Sequence, residues 1–256
     1  MKVLRLIATG WAFQVKNLTL SGFFVVTTTF LPVVLATTAS FMARAGERQG
    51  TLLYVSLGAG VMGIWSSTLF GSGGAIQWQR WQGTLELVVA APAPFVLVIL
   101  PLTLATASVG VYSLASTLLW GWLVFGVPFH LAHPFLFVLA VPAAVLGLGL
   151  LGLVLASTFV LYRYANALSN MLEFPVLFVT GLLVPIAMLP SWAHPISWVL
   201  APTWGMEAIR RSALGGSPLD ALGMTVALGA CYLVLGAFLL ENFARLARDR
   251  ATLALT

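Results

Sequence analysis

Only 12 Lys or Arg and 7 Asp or Glu occur in 256 residues, so the groups able to do polar chemistry can be taken one at a time. Glu207 and Arg211 stand four apart, which puts acid and base on one helix face, and "EAIRRSALGG" ends in the glycine pair Gly215 and Gly216 that stops a helix. The segment Thr203 to Leu214, with Glu207, Arg210 and Arg211, reads either as a salt-bridged cap or as a gate. Arg163 and Glu173 flank "YANALSNM" and read as interfacial charges or as members of a proton relay. His130 and His133 have the spacing of a metal pair, yet no Cys, Asp or Glu lies near them in sequence, so they read as loop residues and no metal is expected. No Ser-His-Asp, paired-carboxylate or H-E-x-x-H arrangement is visible, which argues against an enzyme. No G-x-x-x-x-G-K-[ST] phosphate loop occurs, so the chain has no nucleotide site of that kind. Cys231 is the only cysteine, excludes an intrachain disulfide, and reads as a small buried hydrophobe.

The densest polar stretch is "QWQRWQGTLELVVAAP", Gln77 to Pro92. As a helix it carries an apolar stripe of Trp78, Trp81, Leu85, Val88 and Val89, with Gln79, Gln82 and Glu86 on another face. It should lie along a membrane surface, because the tryptophan ring is apolar while its N–H needs a polar partner. Leu87 falls on the polar side, where contact with another protein would cover it. Two readings stay open: a connector between two spans, or a docking segment.

The elements that hold these residues follow from composition. Hydrophobic residues make up 60% of the chain, 7% are charged, and mean hydropathy is +1.02. Continuously apolar runs of about 20 residues recur, each long enough to cross about 30 Å of hydrocarbon, and their lack of alternation excludes a β-barrel. The expected fold is an all-α integral membrane domain with six spans at 22–42, 52–72, 95–122, 135–161, 172–188 and 219–240, followed by a tail at 241–256. The "PFHLAHP" turn divides the third span from the fourth, and Ser217, Pro218 and Asp220 start the sixth in an N-cap arrangement. Gly147, Gly149 and Gly152 permit close helix packing in the fourth. A net charge of +5 arises from cations scattered in ones and twos, which set topology rather than bind nucleic acid. With both termini in the cytoplasm, Lys2, Arg5, Lys16, Arg80, Arg163, Arg245, Arg248 and Arg250 lie inside, against Arg44, Arg48, Arg210 and Arg211 outside. Residues 1–20 form an interfacial helix with Lys2, Arg5, Thr9 and Lys16 on one face and Leu4, Ile7, Trp11, Val15 and Leu18 on the other, interrupted by Leu6 and Phe13. It reads as a membrane anchor or a partner-docking element, and its length and pattern argue against a cleaved signal peptide.

"RWQGTLELVVAAP" resembles the cytoplasmic loop of ABC-2 type transporter permeases. "FPVLFVTGLLVPIAMLPSWAHPISWVLAPTWGMEAIRRSALGG", Phe174 to Gly216, is similar to that family's fifth span and the external region after it. The resemblance covers nearly the whole chain, although neutral Gln79 and Trp81 surround a single Arg80 where the family motif is usually charged. It implies the membrane pathway of an exporter driven by separate ATPase subunits, which would bind ATP and Mg, and a second permease copy, identical or not. Arg80, Gln82, Gly83, Thr84 and Glu86 match the family's coupling helix between spans two and three, with Leu87 beside them. Residues Lys2 to Lys16 match its interfacial N-terminal helix, and short external helices are expected between spans five and six. The implied location is the plasma membrane of a bacterium.

Cargo is read from the walls. Trp65, Phe70, Phe174 and Phe178 are candidate pathway residues, and with no span carrying a charge near its centre, a hydrophobic or amphipathic drug, lipid or lipid-like cargo is expected. Polysaccharide or glycolipid export, an ion- or proton-coupled secondary transporter and a non-transporting scaffold are the alternatives. Pro101, Pro142, Pro175 and Pro185 interrupt spans, as a secondary transporter's broken helices would require.

Overall fold

A computed structural model describes residues 2–45, 52–81, 83, 94–127, 131–161, 165–182 and 186–249. It contains no strand among these residues. The helices are α1 (Lys2–Leu20), α2 (Gly22–Ala45), α3 (Leu52–Trp81), α4 (Val96–Val109), α5 (Val111–Phe125), α6 (Pro134–Leu161), α7 (Ala165–Val179), α8 (Ala193–Val199), α9 (Ala201–Leu214) and α10 (Leu219–Asp249), with a 3₁₀ turn at Ile186–Met188. Among the described residues five segments are long and apolar enough to cross a membrane: Phe24–Arg44, Leu52–Gly74, Val96–Phe125, Pro134–Phe159 and Leu219–Phe243. With 15 residues, α7 spans only about 22 Å. It ends in a turn at Gly181, whose φ of +74° favours glycine, and so stops well short of residue 188.

The third crossing is two helices joined at Gly110, whose backbone stays helical at φ −55°. A Cβ there would lie 2.7 Å from Ile64 Cα, so glycine permits the backbones to touch. Helix α3 continues past the expected end of its span to Trp81, and Gly83 then takes φ +66°. Trp78 to Trp81 thus prolong α3, and a single helix from Trp78 to Val89 is broken at Gly83. Likewise α10 carries the sixth span on to Asp249, nine residues into the expected tail.

Two helices organise the core. Helix α6 packs against α3, α4, α9 and α10, and α3 packs against α2, α4, α5, α6 and α7. The glycines of α6 do what their spacing predicts: a Cβ at Gly149 would meet Leu104 at 2.9 Å, and one at Gly152 would meet Thr68 at 2.7 Å. Trp65, Leu57, Ile64, Leu69 and Phe159 are fully buried between these helices. By contrast α2 and α10 keep wide apolar faces exposed, including Phe30, Val34, Val234 and Phe238, as expected of faces that meet lipid or another protein. Cys231 lies on such a face and is exposed, contrary to the buried reading. A helix apolar all round does not reveal which side it buries.

Helix α1 is docked, not free. Ile7, Gly10, Gln14 and Leu18 are half-buried on one face, and Gly10 faces Pro101 of α4 so closely that a Cβ would lie 3.1 Å from its Cβ. Trp11 Nε1 donates to Ser108 Oγ at 3.1 Å. Arg5, Thr9 and Lys16 lie on the opposite, exposed side, as the helical wheel requires.

Candidate functional site

Helix α7 buries one stripe, Ser169, Glu173, Leu177 and Thr180, against α3 and leaves Met171, Phe174 and Phe178 exposed on the other side. Glu173 is therefore not at the end of a span. The helix begins at Ala165, so Glu173 sits two turns inside it and only 7% of its surface is exposed. Ser66 Oγ donates to Glu173 Oε1 at 2.7 Å. Ser66 stands eight residues, about 12 Å, from the Gly74 end of the apolar window Leu52–Gly74. The carboxylate is therefore level with the apolar stretch of α3 rather than with its end, which departs from its interfacial reading and from the expectation that no span carries a charge near its centre. Among the described residues Glu173 has no salt-bridge partner.

Glu173 and Ser66 open onto a cleft of about 460 Å³ between α2, α3 and α7, whose lining also includes Thr27, Leu31, Ser67 and Phe70. A cavity of this volume suits one small molecule. Pro32 in α2 faces Gly63 of α3 across the cleft wall, where a Cβ would lie 2.6 Å from Pro32 Cγ. Ser113 of α5 donates to Thr28 O at 2.5 Å and ties α2 to the bundle. A second groove of about 470 Å³, between α2 and α5, is walled by Val26, Phe30, Trp120 and Leu123 and is almost wholly apolar.

The four candidate pathway residues divide. Phe70 lines the cleft. Phe174 and Phe178 stand 56% and 57% exposed on the outer face of α7. Trp65, at 1% exposure, is buried in the core, where α3 packs against its neighbours.

At the Leu52 end of α3 lies the second polar cluster. Arg211 Nε donates to Glu207 Oε1 at 2.8 Å, the four-residue pair expected from sequence, and its NH1 lies 3.5 Å from Asp220. Arg210 is buried instead: NH1 donates to Gly181 O at 2.8 Å and NH2 to Leu182 O at 2.6 Å, while the guanidinium stacks 3.4 Å from the centre of the Tyr54 ring. Burial lowers the Arg210 pKa to about 10, against the opposing pull of Tyr54 and Glu207, so the group stays charged at neutral pH. Helix α9 is thereby pinned over the end of α7, and the loop before α6 joins it through His133 N to Ser212 O at 2.9 Å. Among the described residues no group of three His, Cys, Asp or Glu side chains is placed to hold a metal ion. His130 lies outside the described residues.

Of the loop motif, Arg80 falls in the last turn of α3 and Gly83 in the turn beyond it, while Gln82, Thr84, Glu86 and Leu87 lie outside the described residues. Sequence reasoning missed Ser66, Thr27 and Tyr54. A lone glutamate four residues after Ser169 and four before Leu177, inside an otherwise apolar stripe, was the available signal for Glu173.

A helical bundle with several membrane-long apolar helices and a docked N-terminal helix is that of a multi-pass membrane protein. Its family model is that of the ABC-2 type transporter, which matches residues 4–214, and the chain belongs to that family. Comparison with curated proteins finds no match.

Proposed function

We propose that the chain is the membrane-spanning permease subunit of an ATP-driven exporter, moving a hydrophobic or amphipathic molecule out of the cytoplasm or the inner leaflet. Family membership over residues 4–214 carries the reading, since it spans both the loop motif at Arg80 to Glu86 and the region around Arg210. A separate ATPase would bind ATP and Mg and dock on Arg80, Gln82, Gly83, Thr84, Glu86 and Leu87. The junction at Gly83 suits this role, because a rigid α3 that ends beside the docked segment transmits its displacement to the span. Two copies of the chain, or this chain and a different permease, would pair through exposed apolar faces such as that of α7, placing Phe174 and Phe178 near the shared pathway. The short helices α8 and α9 would lie on the external side, in the plasma membrane of a bacterium with both termini cytoplasmic and six crossings completed by α7.

The test is co-purification from the native membrane followed by reconstitution. A stoichiometric ATPase whose release follows Glu86→Ala or Leu87→Asp, with export lost and the permease still folded, is the expected result. A secondary transporter is the second reading, favoured by the acid at Glu173 inside the membrane. Uptake driven by an ion gradient in vesicles without ATP would establish it in place of the first.

A further inference from the structure

The cleft between α2, α3 and α7 has a chemical sign. Ser66 gives its hydroxyl proton to Glu173, and Ser67 gives its own to Thr106 O at 2.7 Å. A serine hydroxyl has one proton, so both serines retain only acceptor lone pairs, and an ionised carboxylate accepts only. Glu173 is more than nine-tenths buried, lines the cleft, and meets no cation among the described residues. A carboxylate at that depth is costly until a positive group pairs with it. Around these oxygens the walls are largely apolar, with Thr27 and Thr28 as the other hydroxyl residues, and include the rings of Phe24 and Phe70; aromatic faces also favour a cation. The neighbouring groove between α2 and α5, walled almost wholly by apolar groups, lacks such an acceptor.

We propose that this cleft binds a monocationic amphiphile through a protonated amine, the N–H groups donating to Glu173 and the apolar body lying against Leu31, Met62 and Phe70. An anionic lipid headgroup is excluded by the same oxygens. The assignment deepens the permease reading and rests on it for the cleft being a cargo path, but the binding needs no ATPase.

The probe is monodansylcadaverine, a primary amine on an apolar fluorophore, titrated into the full chain in lipid nanodiscs, with empty nanodiscs correcting for partition. Its N-acetyl derivative keeps the shape without the charge, and its N,N,N-trimethyl derivative keeps the charge without the N–H donors. The amine should bind at least tenfold more tightly than the acetyl form, with the trimethyl form between them. Glu173→Gln should abolish that preference while leaving the acetyl form unchanged. Equal binding of amine and acetyl forms by the unaltered chain, absence of saturable binding, or an unchanged preference in a folded Glu173→Gln protein would each overturn the assignment. The comparison of probes on the unaltered chain decides the matter even where the variant fails to fold. ATP-driven export of a neutral cargo alongside equal probe binding would remove the amine and keep the permease, whereas an amine preference without any ATPase partner would do the reverse.

Discussion

Arg210 and Glu173 are buried to nearly the same degree, 6% and 7% exposed, yet their surroundings differ in kind. Arg210 lines a cavity of about 360 Å³ but is tied to the fold on its other sides. Two of its nitrogens donate to the carbonyls that end α7, its plane lies on Tyr54, and Glu207 adds a nearby negative charge. Glu173 receives a hydrogen bond from Ser66 and otherwise borders a cleft. A buried charge that already has several partners within the fold holds elements together, whereas one that lacks a partner of opposite charge is placed to meet one from outside. The two residues therefore predict opposite dissociations of stability from transport.

The largest stability effect should come from Arg210→Leu. It leaves the carbonyls of Gly181 and Leu182 without their donors and removes the stack on Tyr54, a loss of about 3–5 kcal/mol by the measure of broken buried polar pairs. Thermal unfolding in detergent should register a large fall in Tm, and an unchanged Tm would erase the distinction between the two residues. Gly58→Ala attacks the same latch from the side. Its Cβ would lie 2.2 Å from Leu182 O and 3.0 Å from Arg210 NH2, so the α7 terminus must move, at about 1–3 kcal/mol. Binding in the α2–α3–α7 cleft should survive Gly58→Ala in molecules that fold, which a fluorescence titration checks.

Those two variants concern features that sequence reading reached unequally. The ends of α6 agree with the expected span within a residue, because Pro134 opens it, Arg163 follows its end and no charge interrupts it; α10 starts where Ser217, Pro218 and Asp220 place a helix start. The pair Glu207 and Arg211 was legible because four-residue spacing is local. Arg210 was not, since its partners lie 28 and 29 residues away in a turn. The reach of α3 to Trp81 was hidden because Gln77 and Gln79 look like loop residues, although a helix that leaves hydrocarbon can carry polar side chains without ending. Glu173 was misplaced for a related reason: polar "ANALSN" reads as a connector, yet it forms the first turns of α7 and carries the glutamate inward. Trp65 shows the remaining limit, for a helix apolar on every side gives no sign of whether its tryptophan faces a pathway or the core.

Glu173→Gln should be close to neutral for stability. Gln matches the shape of Glu and retains a carbonyl oxygen for Ser66, so the hydrogen bond is kept and the change stays within about 1 kcal/mol. A Tm near that of the unaltered protein, together with lost preference for the amine probe, would complete the contrast with Arg210→Leu. A fall as large as that of Arg210→Leu would instead make Glu173 a second latch.

The smallest effect is expected where a polar contact is half open to its surroundings. Trp11→Phe removes the bond to Ser108 and keeps most of the ring, at about 1 kcal/mol or less, because the contact lies at an exposed edge of α1. What docks α1 is the approach of Gly10 to Pro101, and Gly10→Val would push atoms into a ring already 3.1 Å from the position of a Cβ. Limited proteolysis of α1 separates the two: Trp11→Phe should leave cleavage unchanged and Gly10→Val should accelerate it. The reverse order would mean that α1 hangs from its tryptophan, and that an exposed hydrogen bond can matter here as much as a buried one.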